Sequence, residues 1–104
     1  MDKDKIYIAQ IKEFCSKIIE FTSKVSFEHF VANEQLHLAI VKLIENIGEA
    51  AKRTSQATKD TYPHVDWKRA MAMRDRLVHD YMDVDLEIVF DVATTEVPRL
   101  LKNL

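Results

Sequence analysis

Between Leu36 and Ala51, eight of the ten apolar residues, Leu36, Ala39, Ile40, Leu43, Ile44, Ile47, Ala50 and Ala51, fall at the spacing of one helix face. A strand alternates its faces every residue, so only an α-helix brings this set together. An apolar stripe that wide must be covered, and the chain carries two more stripes to cover it. Ile8, Ile11, Phe14, Cys15, Ile18 and Phe21 recur at steps of three and four, predicting a helix from about Lys3 to Thr22. Leu86, Val89, Phe90, Ala93, Val97, Leu100, Leu101 and Leu104 form the third. One Gly and two Pro in 104 residues are too few turn formers for a sandwich or barrel. The expectation is a single all-α domain over residues 1–104, an up-and-down bundle of four to five helices with short loops.

Boundary signals divide the chain further. Residues 23–33 are polar and broken, with room for one short turn starting at Ser26. Asn33 suits the N-cap of the Leu36–Ala51 helix, because its side-chain oxygen can accept from the first free amides. Gly48 inside that helix costs about 1 kcal/mol against Ala, which predicts a close helix crossing there. Residues 55–64 read as a connection closed by Pro63, with at most a short helix of its own. Asp66 is placed to cap a third helix running from Trp67 to about Asp80, and Asp85 to cap the fourth. Pro98 lacks an amide hydrogen, so a kink or break is expected near Thr95 to Val97.

Composition limits location and partners. Neither terminus reads as a signal peptide, and no apolar run approaches the ~18 residues of a membrane span. Cys15 is the only cysteine, so no intramolecular disulfide can form, and a cytoplasmic home is the expectation. A net charge of −2 argues against general nucleic-acid binding. Residues 52–76 nonetheless hold seven basic residues against three acidic, and residues 77–104 two against six. The local basic stretch suits a phosphate backbone, or simply a solvated helix face.

The chemistry-bearing groups gather in Arg74-Asp75-Arg76-Leu77-Val78-His79-Asp80-Tyr81. If the third helix is continuous, Trp67, Ala70, Met71, Arg74, Val78 and Tyr81 share an apolar stripe, and Arg74 needs a carboxylate, a phosphate or solvent. Asp75 and His79, four apart, would then be neighbours, with the carboxylate orienting the imidazole. A fixed cation, a titratable imidazole, a carboxylate and a phenol suit RNA cleavage without a metal. The plainer reading keeps Arg74 salt-bridged to Glu45 or Glu49, with His79 as a helix cap.

The segment resembles the Arg-x-x-x-x-His-x-Tyr signature of HepT toxins, a branch of the HEPN superfamily. Met1-Asp2-Lys3-Asp4, Ile47-Gly48-Glu49-Ala50-Ala51-Lys52, Tyr62-Pro63, Trp67 and Val84-Asp85-Leu86-Glu87-Ile88-Val89 agree with that family in order. The resemblance implies a HEPN bundle that dimerises and brings two copies of the motif into one cleft. It assigns Arg74 and His79 as the catalytic pair, Asp75 as the polar residue supporting them, and Tyr81 as the family's modified tyrosine. It further implies an RNA substrate and a partner of the MntA kind, a minimal nucleotidyltransferase that adds AMP to Tyr81, in a type VII toxin–antitoxin system. Asp80 departs from the family's common Gly, and Lys42 from its common Arg.

Other polar residues carry less. Asp80, Asp83, Asp85 and Glu87 alternate like a calcium loop but lack its Gly and distal Glu, so capping by Asp85 is the simpler role. His29, His37 and His64 lack ligand-like partners, and neither metal nor cofactor is assigned. Cys15 belongs to a core stripe, and Trp67 reads as a packing anchor or a base-stacking platform. Two further functions compete with a ribonuclease: a non-catalytic helical dimer that docks a nucleotidyltransferase, and a nucleotide-binding module using Arg74.

Overall fold

The computed structural model describes residues 3–80 and 83–104, with side chains described outside 78–83. Helix α1 is Lys3–Thr22, α2 Phe27–Ala32, α3 Glu34–Arg53, α4 Gln56–Asp60 and α5 Trp67–Met71. A 3-10 turn at Arg74–Arg76 follows, then strands β1 (Val78–Asp80) and β2 (Asp83–Val84). Helix α6 (Leu86–Asp91), a π turn (Val92–Glu96) and α7 (Val97–Lys102) run on as one helical rod. The frame is all-α, with one two-stranded ladder inserted. None of the described helices is long and apolar enough to cross a membrane.

The helices begin where their caps stand. Ser26 accepts from the His29 amide at 3.1 Å, Asn33 from Leu36 at 3.0 Å and Asp66 from Arg69 at 3.0 Å. Asp85 accepts from both Glu87 and Ile88, so its role is the helix cap expected of it. Each such cap contributes roughly 1 kcal/mol by satisfying amides the helix leaves open. Helix α1 lies along α3 and against α7. Ile11, Cys15, Ile18, Ile40, Ile44, Ile47, Val89, Val92 and Val97 close the core between them. Cys15 is fully buried, and burial pushes its thiol up to about 12.

Two departures from the expected helices matter for function. The third helix stops at Met71 instead of continuing to Asp80. The buried line here is Ala70, Met73 and Leu77, and Arg74, on the neighbouring line, is exposed. Both lines have helical spacing, and the sequence does not say which one the core takes. The core takes the wholly apolar one and leaves Arg74 outside. The Leu77 carbonyl then accepts from the Asp85 amide at 2.8 Å, and β1 pairs antiparallel with β2, with Val78 opposite Val84.

The second departure is the π turn. Pro98 has no amide hydrogen to give to the carbonyl four residues back. The ladder adjusts upstream, where the Val97 amide reaches Val92, one residue further than an α-helix allows. The break expected near Thr95 is thus taken up as a π segment.

Gly48 lies under the last carbonyls of α5, but the expected crossing too close for a side chain is not found there. A methyl group there would stand 3.5 Å from the Met71 carbonyl oxygen and 3.7 Å from that of Ala70, which is ordinary van der Waals contact. The space therefore admits a methyl group. Gly48→Ala is expected to raise stability by ~0.5–1 kcal/mol through helix propensity. Gly48→Leu should lower it by ~1–3 kcal/mol through overpacking. Urea unfolding of both variants checks this, and a destabilised Ala variant would contradict the contact.

Candidate active site

The Arg74–Arg76 turn lies between two faces of the protein. On one side is α3, and on the other the last helix. Met73 and Leu77, both buried, fasten the turn's two ends into the core. A 3-10 turn has three residues per revolution, so Arg74 and Arg76 leave it in different directions.

Arg74 points toward α3, with 54% of its side chain exposed. Its Nε stands 3.6 Å from Glu45 Oε1, and its Nη1 stands 3.7 Å from Asp75 Oδ1. Both separations exceed hydrogen-bond length, so these are loose, solvent-screened pairs worth under about 1 kcal/mol each. A groove of about 180 Å³ opens beside them, lined by Glu45, Gly48, Glu49, Lys52, Met71, Arg74 and Asp75. Of the two glutamates named as partners for Arg74, Glu45 is the one found. Lys42 is 3.9 Å from the same Glu45 carboxylate, at its other oxygen.

Arg76 turns the other way, onto Glu96 of the π turn. Glu96 is only 8% exposed and is held by two arginines. Arg69 of α5 donates from Nε at 2.6 Å and from Nη2 at 3.3 Å, and Arg76 donates from Nη1 at 3.1 Å and from Nη2. Burial pushes this carboxyl up, but the Arg69 and Arg76 hydrogen bonds and charges outweigh it and leave it below the usual range. Glu96 was not singled out from the sequence, although a signal existed. It falls three residues after Ala93 and four before Leu100, on the apolar stripe of the last helix.

The structure brings Arg74 and Asp75 together and separates Asp75 from the helical neighbourhood expected for His79. Residues 74–76 form a 3-10 turn and the His79 backbone sits in β1, so the continuous helix from which the Asp75–His79 contact was argued is corrected. The contact itself falls on a side chain outside the described residues. Asp75 is instead the acidic neighbour of Arg74. The backbone of His79 lies at an irregularity in the ladder, between Val78 and Asp80, which pair with β2, while its side chain and the whole of Tyr81 lie outside what the structure describes.

Trp67 packs as an anchor at the start of α5. Its indole N–H donates to the Lys59 carbonyl at 3.1 Å, and the Tyr62 ring meets it edge-on at 6.3 Å. A second tie joins the start of α1 to the α3–α4 junction, where Asp4 accepts from the Ser55 amide, the Ser55 hydroxyl and the Thr58 hydroxyl. Those hydroxyl and amide bonds lower the Asp4 carboxyl below its ordinary value.

Known proteins resemble this chain along nearly its whole length. A candidate RNase of Methanocaldococcus jannaschii is 36% identical over 95% of this chain and 82% of its own length. The "Probable ribonuclease HepT" of Thermococcus cleftensis is 32% identical over 92% of this chain and 87% of its own. A candidate RNase of Caldanaerobacter subterraneus subsp. tengcongensis is 34% identical over 99% and 92%. No solved structure matches the chain. The family model described as ribonuclease HepT-like matches residues 11–104, so the chain belongs to the HepT-like ribonuclease family.

Proposed function

We propose that this chain is a metal-independent endoribonuclease in which Arg74 binds the scissile phosphate and His79 moves the proton. The observation that carries the reading is the state of Arg74. Its guanidinium is half exposed beside a groove and, among the described residues, is held at 3.6 and 3.7 Å. An RNA phosphate offers a bidentate, charge-assisted partner, which outcompetes two pairs of that length. His79, five residues on, takes the proton of a ribose 2′-hydroxyl, and the 2′-oxygen attacks the adjacent phosphorus. The bond to the 5′-oxygen breaks, leaving a 2′,3′-cyclic phosphate and a 5′-hydroxyl, and Arg74 stabilises the charge on the phosphorane. Family membership supports the same assignment.

In this reading the chain is the toxin of a type VII toxin–antitoxin pair and works as a homodimer. A minimal nucleotidyltransferase of the MntA kind silences it by adding AMP to Tyr81. Exposed Val31 and Leu38, either side of the α2–α3 junction, supply apolar surface for pairing. Phosphodiesters two residues from His79 would place negative charge where RNA phosphates must sit. A second reading, a non-catalytic dimer that docks the transferase, draws on the groove itself, whose lining holds Glu45, Glu49 and Asp75 against Lys52 and Arg74.

The test is incubation of the purified, unmodified protein with RNA in EDTA, with product ends identified by mass. Cyclic-phosphate ends are expected, and inert protein that still binds the transferase would establish the second reading. Co-expression with the transferase should add mass in steps of one AMP, absent in Tyr81→Phe.

A further inference from the structure

Glu96 is a charge on an apolar stripe, and no step of the proposed chemistry uses it. We infer that Glu96 is the positioning residue of the motif segment: through Arg76 it fixes how the Arg74–Arg76 turn leaves α5, and so where Arg74 and β1 stand. For its effect on catalysis, this inference rests on the ribonuclease reading above.

Three observations carry it. First, the carboxylate spans a break in the chain. Arg69 precedes the end of α5 and Arg76 follows it, yet both donate to the same two oxygens. One group gripped from both sides sets the angle between the helix and the turn. Second, the bonds differ in quality around the turn. Arg76 makes hydrogen bonds to Glu96, whereas among the described residues Arg74 has its pairs at 3.6 and 3.7 Å. Met73 and Leu77 anchor the turn by packing, which sets its depth but not its rotation. The Glu96 fork supplies the rotation, and it leaves Arg74 facing the groove. Third, Glu96 ends the π turn that Pro98 provokes, a local irregularity of the kind that recurs at functional sites.

The experiment compares the parent with Glu96→Gln and with the gentler Arg76→Lys, which keeps the charge but loses the fork. Hydrogen exchange reads the amides of Asp75 and Leu77, which bond to Ala72 at 3.0 Å and Arg74 at 3.1 Å. Both variants should lose at least about tenfold protection there, while core amides of α1 and α3 stay within about threefold. RNA cleavage should show kcat reduced about tenfold or more and KM nearly unchanged, with the double variant no worse than the single ones. Unchanged exchange at Asp75 and Leu77 overturns the inference, as does a loss spread evenly over α1 and α3. A cleaving parent matched in kcat by both variants overturns it too. A parent inert toward RNA defeats the ribonuclease reading alone, and the exchange result then decides whether Glu96 holds the turn.

Discussion

His79→Ala is expected to lower RNA cleavage by 10²–10⁴-fold, about 3–5 kcal/mol of transition-state stabilisation, without unfolding the protein. The magnitude is that of a lost general base. The 2′-hydroxyl must then give its proton to water in the step that forms the phosphorane. Arg74→Ala should cost about 10²–10³-fold, as removal of one preorganised donor does elsewhere. Arg74→Lys should recover only part of this, because a point charge does not match the phosphate fork. Stability should hardly move for Arg74, whose pairs with Glu45 and Asp75 are exposed and loose. Initial rates on a labelled RNA, measured beside thermal melts, separate the two effects. A His79→Ala protein that cleaves within threefold of the parent would remove His79 from the chemistry and leave the family resemblance without its mechanism.

What was legible in the sequence was written locally. The first helix occupies Lys3–Thr22, the span its stripe marks, and Asn33, Asp66 and Asp85 each cap the helix they precede. A cap acts on amides two or three residues away, so neighbouring residues suffice to read it. The end of α5 was not written that way. Two adjacent lines of helical spacing competed between residues 67 and 81, and only the packed core decides that Met73 and Leu77 go in. Arg74 therefore earned notice for a burial it does not have. Its proposed role rests on the opposite property, exposure beside a groove. Glu96 shows the complementary failure: a carboxylate on the Ala93–Leu100 stripe is visible as an oddity, but its partners lie 20 and 27 residues away. The motif resemblance reached further than periodicity because it depends on residue identity and order, which survive a change from helix to turn.

Glu96 also makes stability depend on acid. Its carboxyl lies below the ordinary 4.5 in the folded protein, where Arg69 and Arg76 outweigh burial, and regains the ordinary value on unfolding. The unfolded chain thus binds the proton first. The contribution is fully present above about pH 4.5 and is lost as pH falls through the folded value. Asp4, lowered from 3.8 by Ser55 and Thr58, has the same sign and acts slightly lower in pH. At pH 7, Glu96→Ala should destabilise the fold by ~2–3 kcal/mol. That is below the ~3–5 kcal/mol of severing a fully buried pair, since Arg69 remains half exposed and can turn to water. The parent's advantage should then shrink as pH falls below about 4.5, because protonation removes from the parent the charge that the substitution removes outright. Urea unfolding from pH 3 to 7 reads both quantities. A stability difference that stays constant across that range would mean that Glu96 contributes packing alone, with its ionisation unlinked to folding.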